Sequence, residues 1–386
     1  MRGSHFTHYV VLTSFLLPLA LGGSLISTRI AGARTASAAC SGMTNIRIGI
    51  SPFQDTLLPS VGEKLGWYKQ NCLNVSFVNV SWDAMMTTMA SRSIDVAVYN
   101  TTGVISTYHI APNIVFAYPW DIFDQGAAMM GRPGRGLKTL AEFRAQGLSR
   151  QAASTAAVRQ LKGRTVVTTL GTDMGEDLVM ALHRAGMSLS DVHVVNLATD
   201  QGLAAFLRGT GDAYIGGIPQ RTRLVADHYL TVLAGPDLAA PPVNGFVTTR
   251  AFVSQNHDAL LRLIHVTYMI IRYTQAHTGL VGQFITSTLN KQTAAGMKPS
   301  NFVAFWQHWE HYPLNAVQAQ REIFSPSGFG FWSRTWDQDN TYLVNFSHAL
   351  KVKVPTSAFL GIQLQQAYVS KYGANETGWT KPTGSL

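Results

Sequence analysis

One pattern occurs twice in this chain, from Asn45 to Thr101 and again from Gly163 to Gly217. In each copy an apolar strand runs into a small-residue turn and a helix. A second strand, another helix and a short strand opened by an aspartate follow. The first copy reads Asn45-Ile-Arg-Ile-Gly-Ile-Ser-Pro-Phe53, then Leu73-Asn-Val-Ser-Phe-Val-Asn-Val80, then Ile94-Asp95-Val-Ala-Val-Tyr-Asn100. The second reads Arg164-Thr-Val-Val-Thr-Thr-Leu-Gly-Thr172, then Val192-His-Val-Val-Asn-Leu197, then Gly211-Asp212-Ala-Tyr-Ile-Gly-Gly217. Ile46 to Asp95 spans 49 positions and Thr165 to Asp212 spans 47, so the units agree in length as well as order. Strands alternating with helical stretches make parallel βαβ units with right-handed crossovers, and their ligands sit at the carboxyl ends of the strands. Two copies predict an α/β protein of two Rossmann-like lobes with a cleft between them.

Caps and spacing place the helices. Asp83 leads Met85, Met86 and Met89, and Asp200 leads Leu203, Phe206 and Leu207, each set spaced by three or four. The methionines read as core packing. Between the repeats lie the apolar run Asn113 to Trp120, a turn region Asp121 to Gly126, and Ala127 to Met130. After the second repeat come Leu230 to Gly235, the turn-rich Pro236 to Pro242, and Gly245 to Arg250. These are natural places for the chain to cross to the other lobe and back. The expected division is a first lobe from 40–126 and 241–386, a second from 127–240, and a double-crossover hinge that bends without letting the lobes drift. From Ser254 onward the pattern is helical. Ala259 to Tyr273 is apolar, but Arg262, His265 and Arg272 interrupt it, so it reads as a core-facing helix. The aromatic tail holding Trp306, Trp309, Phe329, Trp332 and Trp336 is expected to pack on the first lobe.

At 386 residues and 46% hydrophobic, the chain can bury a large core. Basic residues exceed acidic ones by 30 to 21, but charged residues make up only 13% and form no long basic run, which argues against nucleic acid. The first 39 residues hold Arg2, Arg29 and Arg34 and no acid. Arginine before the apolar stretch Tyr9 to Leu21, then Ala36-Ser-Ala38-Ala39, has the order of an export signal, which predicts a periplasmic or extracytoplasmic protein. A retained anchor is disfavoured, because the apolar run falls short of the ~20 residues a span needs and contains Pro18. The two cysteines, Cys40 and Cys72, fall at the N-terminal edges of the first two strands. Three readings stay open: a disulfide, a lipid anchor on Cys40, or two free thiols.

The usual catalytic and cofactor signatures are missing: no G-x-S-x-G, H-E-x-x-H, G-x-x-x-x-G-K or CxxC. His308-Trp-Glu310-His311 spaces two imidazoles for a metal, but an isolated pair among tryptophans reads better as surface or supporting structure. No cofactor and no metal are expected, and the chain reads as a non-enzyme. What is positively arranged is the set of strand ends. Ser51, Pro52, Phe53 and Gln54 follow the first strand and Asn100 and Thr101 the third; Gly171, Thr172, Asp173, Gly216 and Gly217 stand in the second repeat. Small residues at helix starts leave backbone N–H groups unpaired, and the helix dipole favours a negative or electron-rich ligand group there.

At these residues the chain resembles the periplasmic substrate-binding proteins of ABC importers, in the nitrate/sulfonate/taurine-binding family with the type II two-lobed fold. The carriers are the opening Ile46 to Ile50 strand, Lys64-Leu-Gly-Trp-Tyr68, Ile94-Asp95-Val-Ala-Val98, Leu161-Lys-Gly-Arg-Thr-Val-Val167, and His183 to Leu197. The resemblance covers Asn45 to Tyr273, and the tail matches the family's helical C-terminus only loosely. It implies a monomer that captures a small solute between the lobes and delivers it to a membrane permease. The solute would be a sulfonate, nitrate or other small anion, or a heteroaromatic. By position, contacts would come from Ser51, Phe53, Gln54, Asn100, Thr101, Gly171, Thr172, Gly217 and Gln220, with Trp82, Trp120 and Asp121 within reach. Gly216-Gly-Ile-Pro219-Gln220 replaces the aromatic or acidic residue that many relatives carry before the proline. Arg221 and Arg223 stand near. The same fold family includes pyrimidine-precursor synthases, whose cysteine-rich cluster is missing here, and a ligand-sensing module for a membrane receptor is the other alternative.

Overall fold

The computed structural model describes residues 40, 42–293 and 295–386; the expected export signal lies outside the described residues. The first sheet contains β1 (Thr44–Ile50), β2 (Leu73–Asn79), β3 (Val96–Asn100), β4 (Ile114–Ile122) and β10 (Val243–Thr249) in the order β2-β1-β3-β10-β4. The second contains β5 (Ala128–Gly131), β6 (Thr165–Thr168), β7 (His193–Asn196), β8 (Ala213–Gly216) and β9 (Leu230–Ala234) in the order β7-β6-β8-β5-β9. The two orders match strand for strand. In each, the opening strand pairs in parallel with its two repeat partners. One strand then enters antiparallel beside the third: β10 between β3 and β4, and β5 between β8 and β9. The chain passes between the sheets twice, over 123–127 and over 235–242.

The two aspartates that open the third strands do the same work. Arg47 donates its backbone N–H to Asp95 Oδ2 at 2.8 Å, and Thr165 donates its own to Asp212 Oδ2 at 3.0 Å. In return the Asp95 N–H reaches Arg47 O at 2.9 Å and the Asp212 N–H reaches Thr165 O at 2.8 Å. Each carboxylate therefore satisfies an edge donor just where the ladder begins, which is why aspartate recurs at that position.

β3 and β4 are buried along their whole length, as near-continuous apolar runs covered on both faces should be. β4 continues through Asp121 to Ile122, so Asp121 is a strand residue opposite Asn244 of β10 and lies inside the sheet edge, where the sequence suggested a turn. A Cβ on Gly245 would stand 2.1 Å from Tyr118 O, so only glycine lets β10 approach β4 at this irregular register. Gly66 adopts φ +77° between the helices Pro59–Lys64 and Trp67–Gln70 and breaks what sequence reads as one helix. The end of the chain folds over this break, with Trp67 Nε1 donating to Thr380 O at 2.8 Å.

Met85, Met86 and Met89 are buried in the core. The helix His257–Ala276 buries most of its length, and its interrupting charges find acceptors: Arg262 reaches Asn71 O at 3.0 Å and Arg272 reaches Leu314 O at 3.1 Å. Among the described residues no helix is long and apolar enough to cross a membrane. Cys40 and Cys72 form a disulfide, with an S–S distance of 2.03 Å, which engages the sulfur a lipid anchor would need.

The aromatic tail packs more widely than sequence suggested. Phe359 stacks on Trp332 with centroids 4.0 Å apart and on Phe116 of β4 at 5.5 Å, as packing on the first lobe requires. Other tail residues reach the second lobe. Phe346 sits 4.4 Å from the His183 ring, and the Gly171 N–H donates to Tyr342 Oη at 3.3 Å.

Candidate functional site: a closed acidic cleft at the strand ends

The carboxyl ends of β1, β3, β6 and β8 face one another, and the start of the antiparallel β10 arrives at the same edge. A cavity of about 20 Å³ lies there. From the first lobe it is lined by Phe53, Asp55, Trp82, Phe123 and Asn244; from the second, by Asp173, Met174 and Gly217. That volume holds about one water molecule, so the cleft is shut. Trp82 Nε1 donates to Asp173 Oδ1 at 3.0 Å directly across it. Larger cavities of about 750 and 650 Å³ lie among tail segments and beside Tyr108 and Lys353, away from the strand ends.

Of the residues expected from sequence, Phe53, Trp82 and Gly217 line this cavity. Phe53 and Trp82 meet edge to face with centroids 5.2 Å apart, and a Cβ on Gly217 would stand 3.6 Å from Phe53 and 3.7 Å from Phe123. Asn100 caps the helix Thr101–Thr107 by accepting from the Gly103 N–H at 3.1 Å. Its Nδ2 makes no hydrogen bond within normal geometry; burial raises the Asp173 carboxyl, and the Trp82 N–H and the nearby Asn100 amide act against that rise. Other expected residues turn elsewhere. The Ser51 hydroxyl donates to Val80 O at 2.8 Å and the Thr172 hydroxyl to Thr169 O at 2.8 Å. Trp120 is packed between Phe246 and Tyr312 behind the sheet edge. Gln220 donates to Asp200 at 3.2 Å and lines a separate cavity of about 200 Å³. Thr101 is buried, and Gly171 takes φ +83° with its N–H on Tyr342.

Sequence reasoning named Asp121 but missed the two acids beside it, Asp55 and Glu310. Asp55, Asp121 and Glu310 are all buried, and one oxygen from each lies within 4.8 Å of the others. Asn244 Nδ2 binds two of them, donating to Asp55 Oδ2 at 3.0 Å and Asp121 Oδ2 at 3.1 Å; Gln54 Nε2 donates to Glu310. Burial, with the Asp173 charge adding to it, pushes the Asp55 carboxyl up to about 6. Burial also holds Asp121 and Glu310 well above the ordinary range, with Glu310 and Asp55 pushing on Asp121 and Asp55 pushing on Glu310. Three acid oxygens at this spacing suit a cation, whether a hard metal ion or a protonated amine. Glu310 arrives here because His311 pairs with Ile122 at the end of β4, through backbone bonds of 2.9 Å in both directions. Of the motif that suggested a metal, His308 is exposed and the His311 ring binds Glu322 at 2.6 Å, so the glutamate between them is the residue that turns inward.

A second acidic group spans the lobes beside the first. Thr102 Oγ1 lies 3.2 Å from Glu176 Oε2 and 3.1 Å from Asp339 Oδ1, and Gln338 donates to Glu176 at 2.7 Å. Burial lifts Glu176 well above the ordinary range, reinforced by Asp339, and lifts Asp339 to about 6. Asp173 and Glu176 occupy the first turn of the helix Asp173–Arg184 and offset the positive end of its dipole. The helix start that sequence offered to an anion thus carries its own acids. The helix Ile218–Ala226 begins without a side-chain cap.

Two α/β lobes, strand order shared, ligand edge facing ligand edge across a double crossing: this is the architecture of a periplasmic binding protein. The chain belongs to the NMT1-like family, whose sequence profile matches residues 41–278. Among solved structures, the alkanesulfonate-binding protein SsuA from Xanthomonas axonopodis pv. citri, bound to MOPS, superposes with a TM-score of 0.61 at 13% identity over 83% of this chain and 99% of its own. The periplasmic aliphatic sulphonate binding protein SsuA from Escherichia coli gives 0.60 at 16% identity, over 84% and 99%. The desulfurization enzyme DszB gives 0.55 at 11% identity, over 85% and 99%. No curated protein matches the chain.

Proposed function

We propose that this chain is an extracytoplasmic solute-binding protein that captures a small molecule between its lobes, 40–126 with 241–386 on one side and 127–240 on the other, and delivers it to an ABC importer permease. The observation that carries this reading is the cavity built by Phe53, Asp55 and Trp82 from one lobe and by Asp173 and Gly217 from the other. Side chains that meet only when the lobes close give a solute a differential grip on the closed form, and such a difference is what drives a population toward closure. Family membership and the likeness to two SsuA proteins support it. Because a cavity of about 20 Å³ has room for about one water molecule, the lobes must part to admit a solute and then close around it less tightly than they stand here.

The architecture shared with DszB makes turnover the competing reading. A bound solute should raise the melting temperature by mass action, reduce the scattering radius and be recovered chemically unchanged. Recovery of a converted product decides for an enzyme; saturation with no change in radius decides against capture by closure.

A further inference from the structure

Resting on the reading of this cleft as a solute site, we infer that its solute is an organic cation: a positive N–H-bearing group held by Asp55 and its neighbours, with its carbon frame against Phe53, Trp82 and Phe123. Three independent observations lead there.

The first is hydrogen-bond polarity. Asn244 lines the cavity at 4% exposure, and its Nδ2 is taken by the carboxylates of Asp55 and Asp121. Only the NH2 end of an amide can donate to carboxylates, so chemistry fixes its orientation and leaves Oδ1 as the free end. Asn244 Oδ1 has no partner, and neither do Asp121 Oδ1 and Gln54 Oε1, on side chains 0% and 1% exposed. The two amide oxygens can only accept; among the buried donors without partners, Asn100 Nδ2 stands by Asp173 and Trp120 Nε1 behind the sheet edge. Buried acceptors without donors are costly, and a sulfonate or nitrate brings only more acceptors.

The second is charge. The charged groups acting on Asp55, Asp121 and Glu310 are one another and Asp173, and the Tyr312 hydroxyl donates to Glu310 Oε2 at 2.7 Å. Among the described residues lining the cavity none is basic. Arg221, which sequence placed near the site with Arg223, gives its guanidinium to Gln125 O and lies 4.0 Å over the Trp309 ring. An anion entering here meets buried acids with nothing to offset them, whereas a cation offsets them.

The third is the walls. Phe53 and Phe123 flank Gly217, and Trp82 stands edge to face with Phe53. Aromatic faces attract desolvated organic cations and do nothing comparable for anions.

The test compares probes of opposite charge and similar shape on the intact protein: benzylammonium against benzenesulfonate and nitrate, with calcium and zinc chlorides alone as a third arm. Melting, calorimetry and scattering radius are read together. The expected result is stabilisation and contraction with an organic cation, and binding weakened at least about tenfold in Asp55→Asn, the loss of one charged hydrogen bond. Circular dichroism and the solute-free melting temperature of Asp55→Asn confirm its fold, and Phe53→Leu provides a second variant expected to lose affinity. Contraction with anions but not cations overturns the inference and leaves solute capture standing. Stabilisation by metal ions alone overturns the organic cation. No response to any probe overturns the inference, and contraction with none of them counts against capture as well.

Discussion

The indole of Trp82 donates to Asp173 across the cleft at 3.0 Å, so a ring from the first lobe is hydrogen-bonded to the residue that opens the helix Asp173–Arg184 of the second. Tyr99 holds that ring in place from below, its hydroxyl donating to Trp82 O at 2.8 Å and its own ring 4.0 Å away. Removing the donor leaves a carboxylate oxygen unpaired in the closed state only. Trp82→Phe should shift the equilibrium toward the open form by about 1–3 kcal/mol, read as a larger scattering radius without solute. Asp173→Asn retains an acceptor and removes a buried charge, so it should close at least as tightly as the parent at neutral pH. An unchanged radius in Trp82→Phe would show that this bond does not hold the cleft.

Closure should also depend on pH, through Glu176 and Asp339. Both meet Thr102, Glu176 from across the cleft and Asp339 from the same lobe, Asp177 and Asp173 lie close, and burial raises each carboxyl, Asp339 to about 6 from an ordinary 3.8. A raised carboxyl binds its proton more tightly when closed than when open or unfolded. Its contribution is therefore fully present below the ordinary value and is lost as pH rises through the raised one. For Asp339 that window runs from 3.8 to about 6, and Glu176 extends it upward. The melting temperature and the closed fraction should fall together as pH rises from 3.8 through about 6 and beyond, and less steeply in Asp339→Asn. A flat profile would mean that these acids ionise with no penalty.

The disulfide closes a loop of 32 positions at the start of the first sheet. Chain-entropy arguments assign such a crosslink about 3–4 kcal/mol. Cys72→Ser should lower the unfolding free energy by that amount, with a matching fall in the denaturation midpoint, and leave solute affinity unchanged, since neither cysteine lines the cleft. An equal midpoint with and without reductant would remove the disulfide from the stability of the fold.

Gly245→Ala is expected to be far worse than its size suggests. The added methyl would stand 2.1 Å from Tyr118 O and 2.8 Å from Pro119 Cα, both backbone atoms that cannot rotate aside. Forcing β10 from β4 should lower stability by about 2–3 kcal/mol or more, and it should weaken solute binding too, because Asn244 is the adjacent residue. Thermal melting compared with Gly279→Ala, where nothing lies within 4 Å, isolates the effect.

The duplicated pattern was legible because each unit is local: strand period, caps and the opening aspartates all fall within fifty residues. Phe53, Trp82 and Gly217 were legible for the same reason, as residues at strand ends of those units. Asp55 lay one position past the predicted set and is marked only by its burial. Asn244 and Glu310 come from a returning strand and from the tail, at sequence distances of 189 from Asp55 and 256 from Gln54, where no periodicity links them. Glu310 did carry a faint signal, an acid set among aromatic residues in a chain with only 21 acids, but the flanking histidines drew the chemistry toward themselves.

The place of β10 bears on how the molecule is made. Thr248 donates to Asp95 O, 153 positions earlier, and its strand fills the middle of a sheet whose other members are synthesised first. Until residues 243–249 leave the ribosome, β3 and β4 have no strand between them, whereas the second lobe has all five of its strands once Ala234 is complete. A pairing of such long range is slow to form. The nascent first lobe must therefore stay unfinished while most of the chain is still being made, the condition a polypeptide needs if it is to be threaded through a translocation channel before it folds.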